Sequence, residues 1–181
     1  MPVLAAPVYD VQKSFLEAMA EYEAEGRGSP GDHSNIGSDL RVWSATWSQP
    51  AGFRSFVDAL RAQALEATPR PASFVPTTVL WWVEGVDYLG RLNIRQRLAP
   101  GVAGQRNGHI GYDVRPSARR QGHATAMLAA ALPIAASLGL DRVLVTCDVD
   151  NVASRRTIER NGGVAAVPID EKLRYWIVTA R

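Results

Sequence analysis

Apolar side chains recur along the chain at two different spacings, and the change falls near residue 77. In the first part they return every three to four positions, which is the period of an amphipathic helix. This pattern predicts two helices, Asp10–Glu25 and Gly52–Ala67. The stretch 26–35 between them is rich in Gly and Ser, and three prolines follow the second helix, so both segments are predicted to be loops.

From residue 77 onward, runs of β-branched and aromatic residues alternate with helical patterns. The runs predict five strands, at Thr77–Glu84, Tyr88–Arg97, His109–Val114, Arg142–Cys147 and Tyr175–Val178. Two further helices are predicted between the later strands, at Gly122–Leu138 and Asn151–Arg160. The order of two helices, three strands, helix, strand, helix and strand predicts an α+β fold.

Composition narrows the class of protein. With 46% hydrophobic and 21% charged residues among 181, the chain is typical of a globular protein, and we expect one domain over 1–181. One cysteine excludes a disulfide framework and a multi-thiolate zinc site, and no metal is predicted. No apolar run approaches the roughly 20 residues that span a bilayer. The N-terminus lacks the features of a signal peptide, so we expect a cytoplasmic protein. The net charge of +2 gives no reason to expect nucleic acid or a membrane as partner.

The junction between the strand His109–Val114 and the helix that follows it carries the first chemical signal. The start of a helix exposes unpaired backbone N–H groups and the positive end of the helix dipole, which together favour phosphate. Gly122 allows close approach, and Arg119 and Arg120 are candidate charged donors. The alternative is an ordinary strand-to-helix turn with solvated arginines.

Two motifs in this region resemble the GNAT superfamily of N-acetyltransferases. Arg119-Arg120-Gln121-Gly122-His123-Ala124 matches the pattern Q/R-x-x-G-x-G/A that follows the fourth strand of that family, and Asn151-Val152-Ala153-Ser154 matches its N-x-x-A/S helix start. Gly108-His109-Ile110-Gly111-Tyr112 is similar to a bacterial subgroup of predicted acetyltransferases. The resemblance covers about 77–178. It implies a mixed, mostly antiparallel sheet flanked by helices and splayed between its fourth and fifth strands.

The resemblance also implies acetyl-CoA as cosubstrate. In that family the backbone of the loop would cradle the pyrophosphate, and the strand end at Val114 would pair with the pantetheine arm. Asn151 and Ser154 would meet the pantetheine or the 3′-phosphate; alternatively, Asn151 is a helix N-cap and Ser154 a first-turn residue. The loop residues implied in cofactor binding are Arg119, Arg120, Gln121, Gly122, His123, Ala124 and Thr125.

The catalytic residues are harder to assign. The family's reaction is direct attack of an amine on the thioester, so a group must take the proton of the amine. His109 stands where many relatives carry a Glu and is the first candidate base; the alternative is a strand-end histidine bonded to backbone. Glu84 is a weaker candidate. The tyrosine that often lies seven residues after the family's Asn is replaced by Ile158, so Tyr112 is the candidate proton donor to the thiolate.

Two functions fit these observations. One is an N-acetyltransferase, monomeric or homodimeric, acting on a small-molecule or peptide amine. The other is an acetyl-CoA-binding sensor or partner-recognition module with little turnover. By analogy with the family, the loop Gly26–Asp39 would shape the acceptor site. Arg91, Arg95 and Arg97 are candidates to bind an acceptor carboxylate, or they form a solvated strand face.

Overall fold

In the computed structural model, residues 1–179 form one seven-stranded sheet with helices on both faces. The last two residues of the domain expected over 1–181 lie outside the described part. The strands are β1 (Val3–Ala5), β2 (Thr77–Glu84), β3 (Asp87–Arg95), β4 (Ile110–Val114), β5 (Arg142–Asp148), β6 (Val164–Ile169) and β7 (Lys172–Val178). The helices are α1 (Gln12–Ala24), α2 (Asn35–Trp43), α3 (Pro50–Ala62), α4 (Gly101–Asn107), α5 (His123–Ser137) and α6 (Val152–Arg160).

The strands follow the order β1-β2-β3-β4-β5-β7-β6, and every neighbouring pair is antiparallel except β4 and β5. That parallel pair is joined at a single register position, Ile110 opposite Val145. Beyond it the two strands separate. The predicted α+β class and the splay between the fourth and fifth strands are both confirmed.

Successive side chains of a strand point to opposite faces of the sheet, so the hydrophobic core forms two layers, one on each face. Trp81 packs with α1 and α3 on one face, where its ring stacks on Phe15 at 5.3 Å. Trp82 packs on the other face with the residues of α5. Both indoles are buried, so each tryptophan belongs to a core layer.

The point where β4 and β5 part is held by His109. Its N–H donates to the carbonyl of Leu144 at 2.7 Å, and its Nδ1 accepts the N–H of Leu144 at 2.9 Å. Burial lowers the pKa of this imidazole from 6.5 to about 4, and the positive charge of Arg95 adds to the effect. His109 is therefore neutral at pH 7, as an acceptor at Nδ1 requires.

Four elements are absent from the sequence prediction. The first half contains three helices rather than two, because α2 lies in and after the predicted loop. Its short, Gly-containing sequence is a weak helix former, and it is stabilised by the Ser34 hydroxyl accepting the N–H of Gly37 at 3.0 Å. The other three are α4, the short edge strand β1, and β6, an edge strand that tolerates Pro168 because its outer side needs no partner. Within residues 1–179, none of the helices combines the length and apolar character needed to cross a bilayer.

The contacts of His109 predict that the folded protein loses stability as the pH falls. The folded-state pKa lies below the unfolded value, so the unfolded chain binds the proton more readily and stability falls as the pH drops from about 6.5 towards about 4. Between pH 7 and pH 5 we expect the wild type to lose about 2 kcal/mol more unfolding free energy than His109→Asn. Urea denaturation at both pH values measures this. His33→Asn, at an exposed histidine, should behave as the wild type. An equal loss in all three proteins would contradict the assignment.

Candidate active site

A cavity of about 650 Å³ lies where β4 separates from β5. Its walls come from the end of β4, the loop and first turn that lead into α5, one side of α6 along its length, and one residue after α1. The lining residues are Tyr112, Asp113, Val114, Ala118, Arg119, Arg120, Gly122, His123, Ala124, Thr125, Asn151, Ala153, Ser154, Arg156, Thr157, Arg160 and Arg27.

The loop between β4 and α5 presents backbone N–H groups to this cavity. Gly122 adopts a φ of +87°, a conformation that glycine reaches without strain, and it turns the chain into the helix. The first backbone hydrogen bond of α5 runs from the Ala126 N–H to the Gly122 carbonyl at 3.1 Å. The amides of residues 123–125 therefore have no carbonyl one turn earlier, and they lie at the positive end of the helix, where an anion is favoured.

Two arginines of the loop are occupied by α1. Arg119 makes a two-pronged ion pair with Glu25 at 2.6 and 2.8 Å, and Arg115 binds Glu21 at 2.7 Å. Burial raises the pKa of Glu21, but the hydrogen bonds from Arg115 and Ser117 outweigh burial and hold that pKa below its usual value. Both terminal nitrogens of Arg119 therefore bond to Glu25 and are not available to a ligand.

Besides Arg119 and Arg27, three arginines line the cavity, namely Arg120, Arg156 and Arg160. The last two project from α6 and were not predicted from the sequence. Their spacing of four positions was the available signal, because it places both side chains on one helix face next to the N-x-x-A/S motif.

His123, the first residue of α5, has a defined orientation. Its Nδ1 accepts a hydrogen bond from the indole N–H of Trp82 at 3.2 Å. In a neutral imidazole the proton must then reside on Nε2, which makes that nitrogen a donor. Because His123 lines the cavity, this donor adds to the backbone N–H groups of the same turn.

A contact between Tyr112 and Ser154 connects β4 to α6. Their hydroxyl oxygens lie 2.7 Å apart, one on β4 and the other on α6. The side chain of Asn151 accepts the N–H of Ser154 at 3.0 Å, so it is a helix N-cap. Burial raises the pKa of Tyr112 to about 12, which keeps the phenol protonated at neutral pH.

The structure brings together most of the predicted residues but not all. Nine of the ten predicted cofactor-binding residues line the cavity; Gln121 is exposed and donates to the Ser117 carbonyl at 3.3 Å instead. Of the predicted catalytic residues, Tyr112 lines it, whereas His109 and Glu84 do not. His109 makes the backbone contacts that the sequence left open as the alternative. Glu84 lies at an exposed hairpin end, 2.8 Å from the Met1 amino group.

The sequence prediction also missed a pair of charges at the opposite side of the cavity. Arg27 donates to Asp113 at 3.3 Å and to Asp32 at 3.0 Å. Asp113 follows Tyr112 on β4 and points to the other face of the sheet. Alternation along the predicted strand was a usable signal for Asp113, whereas no local pattern marks Arg27.

Comparison with solved structures gives matches along nearly the whole chain. RimJ of Mycobacterium smegmatis, in complex with CoA-disulfide, superposes with a TM-score of 0.67 at 17% identity, covering 97% of this chain and 80% of RimJ. The microcin C7 self-immunity acetyltransferase MccE, in complex with acetyl-CoA and AMP, gives a TM-score of 0.59 at 15% identity, with 97% and 91% covered. The PaiA N-acetyltransferase of Thermoplasma acidophilum, in complex with coenzyme A, gives 0.58 at 10% identity, with 98% and 99% covered. At these identities the likeness establishes the fold alone.

A search of curated protein sequences finds no match. The family comparison is positive, since the model of the acetyltransferase (GNAT) domain matches residues 36–164. That range holds the splayed strands, the loop before α5 and the N-cap of α6, which are the elements that build the cavity. The chain belongs to the GNAT acetyltransferase family.

Proposed function

We propose that this protein transfers an acetyl group from acetyl-CoA to a primary amine. The proposal rests on one observation. Within a single cavity, the part of β4 that has no partner strand on one side lies beside the N-terminus of α5. Beyond Ile110, no described residue of β4 pairs with β5, so backbone groups on that side of the strand are available to an extended ligand. A phosphate-bearing chain with amide groups fits both features.

The residues present suit acetyl-CoA. Loop amides 123–125, together with the Nε2–H of His123, supply neutral donors for a pyrophosphate. Arg120, Arg156 and Arg160 supply positive charge for the phosphates. The backbone near Val114 would hold the amide-bearing pantetheine arm in the manner of an added strand.

The fold neighbours support this choice of cosubstrate. MccE was solved with acetyl-CoA, PaiA with coenzyme A, and RimJ with CoA-disulfide. Acetyl-CoA would supply an activated acetyl thioester. In the overall reaction a C–N bond forms as the C–S bond breaks, the amine nitrogen loses one proton, and the sulfur gains one.

Tyr112 is our candidate for the group that gives the sulfur its proton. It lines the cavity, its phenol is protonated at neutral pH, and Ser154 holds its hydroxyl at 2.7 Å. Ile158, at the position where relatives often carry the donor tyrosine, is fully buried in the core. We therefore place the donor on β4 rather than on α6.

The second candidate function is an acetyl-CoA-binding module with little turnover, which is favoured by the positions of His109 and Glu84 outside the cavity lining. Incubation with acetyl-CoA and a panel of amines separates the two functions. We expect free thiol to appear in the presence of an amine. Acetyl-CoA binding by calorimetry without thiol release on any amine would support the module, and absence of binding would contradict both.

Gly122→Glu should weaken acetyl-CoA binding by about two orders of magnitude, because a carboxylate would stand at the helix start where we place the pyrophosphate. Gly139→Glu is the matched control. Gly139 has a φ of +83° and, like Gly122, open space where a Cβ would be added, but it lies at the other end of α5. Calorimetry on both variants measures the difference. Equal affinities would show that the phosphate loop is misassigned.

Tyr112→Phe should lower kcat about 10- to 100-fold, the lower part of the range for general acids, because a thiolate leaves readily. The Kd for acetyl-CoA should change less than about threefold, since the ring remains. Tyr175→Phe removes a hydroxyl that lies outside the cavity lining and contacts Glu159 at 3.5 Å, and it is the control. An unchanged kcat in Tyr112→Phe would remove this residue from the mechanism.

A further inference from the structure

The arginines on and after β3 have partners inside the protein. Arg91 contacts Asp39 on α2, Arg97 pairs with Glu66, and Arg95 donates to two backbone carbonyls at the end of α4. Each of the three arginines considered above for an acceptor carboxylate is therefore bonded internally. One histidine of the cavity differs from them, because only one of its two ring nitrogens is bonded.

That histidine, His123, connects the core of the protein to the cavity. It is half-buried, it lines the cavity, and its Nδ1 accepts the indole N–H of Trp82 at 3.2 Å. Within residues 1–179 this is the only hydrogen bond of the imidazole. In the neutral ring Nε2 carries the proton, so the side chain has one donor and that donor has no partner in the described protein.

Trp82 lies on β2, in the core layer that faces α5. Its side chain is 5% exposed, and a buried indole N–H needs an acceptor. The Nδ1 of His123 is that acceptor. A proton on Nδ1 would set two donors against each other, so the indole excludes that tautomer and holds the ring in one orientation.

The pairing of β2, β3 and β4 opens the way from this tryptophan to the cavity. Trp82 lies opposite Gly90 on β3, and Gly90 lies opposite Val114 on β4, so the three positions form one row across the sheet. Paired residues of neighbouring strands share a face, yet Gly90 places no side chain in that row. A Cβ there would lie 2.5 Å from the carbonyl oxygen of Asp113, so the position excludes a larger residue.

Trp81, the preceding residue of β2, provides a comparison on the same strand. Its side chain is 0% exposed and belongs to the core layer on the opposite face. Its indole N–H has no hydrogen-bond partner in the described part of the chain. The two buried tryptophans thus differ in one respect that matters for the cavity, since only Trp82 has its N–H bonded to a cavity residue.

From these contacts we propose that Trp82 is a positioning residue for the cosubstrate. It acts through His123, whose Nε2–H it directs towards the pyrophosphate of acetyl-CoA. The bond exists before a ligand binds, so the donor is already oriented and less freedom is lost on binding. This role rests on the proposed acetyl transfer, because that reaction is the source of the pyrophosphate.

Nitrogen-15 NMR of the histidine-labelled protein without ligand tests the bond itself, at about pH 8, where an ordinary imidazole is neutral. The His123→Ala spectrum identifies the signals of His123. We expect a protonated Nε2 and an unprotonated Nδ1 in the wild type and in Trp81→Phe, and a mixture of tautomers in Trp82→Phe. A merely structural role of Trp82 would leave the tautomer unchanged. A proton on Nδ1 in the wild type would overturn the proposal.

Calorimetry with CoA measures the effect on affinity. His123→Ala should weaken CoA binding about tenfold, as expected for loss of a hydrogen bond to a charged group. His123→Gln should keep most of the affinity, because its amide can accept the indole N–H and still donate. Trp82→Phe should weaken CoA binding about three- to tenfold, and the control Trp81→Phe less than about twofold.

A double variant separates an action through His123 from a general effect on the fold. In the His123→Ala background Trp82 has no imidazole to orient, so adding Trp82→Phe should lower CoA affinity less than about twofold further. The second ligand is 3′-dephospho-CoA, which keeps the pyrophosphate and lacks the 3′-phosphate. His123→Ala should weaken its binding by the same factor of about ten.

The outcomes separate this role from the proposed function. If CoA does not bind the wild type, the proposed acetyl transfer fails. If CoA binds but His123→Ala leaves its affinity unchanged, or the effects of the two substitutions multiply, the positioning role fails alone. A loss that disappears with 3′-dephospho-CoA would contradict the assignment to the pyrophosphate. If Trp82→Phe does not fold, the wild-type NMR spectrum and the His123 variants still decide.

Discussion

The rest of the site depends on the parting of β4 from β5. Neighbouring parallel strands normally satisfy each other's backbone groups along their length, yet here the pairing stops after Ile110. His109 closes the paired end by bonding to both the N–H and the carbonyl of Leu144. Past that point β4 is only half-buried, and the backbone groups on its free edge are open to an extended ligand. The cavity is thus a consequence of the pairing pattern.

Glutamates of α1 pair with arginines of the loop between β4 and α5. Glu17, Glu21 and Glu25 recur every four residues and share one side of the helix, and they meet Arg115 and Arg119 from across the loop. These pairs hold the loop against α1 before any ligand binds. In the proposed complex the phosphates would therefore meet the loop amides and the other arginines that line the cavity, so the near-neutral net charge of the chain conceals a local concentration of positive charge.

The sequence was most informative where pattern and chemistry coincide. Runs of β-branched and aromatic residues located β2 to β5 and β7, and the end of β4 together with the loop before α5 and the motif at the start of α6 located nine residues of the cavity. The elements that the sequence did not predict depend on their place in the folded structure. Helix α2 is held by the Ser34 cap and by the contact of Asp39 with Arg91, a residue 52 positions away. Sequence spacing carries no sign of such a pair. The edge strands β1 and β6 are short or interrupted by proline, because an edge tolerates what a central strand does not.

Tyr112 and Asp113 show how one strand can place a phenol and a carboxylate on opposite faces of the sheet. Successive side chains of a strand point to opposite sides, so the phenol faces α5 and α6 while the carboxylate faces α1 and α2. Both side chains nevertheless line the same cavity, and the backbone sets the spacing between them. This arrangement makes register the critical variable, since a slip of one residue in the pairing of β3 with β4 would exchange the two sides.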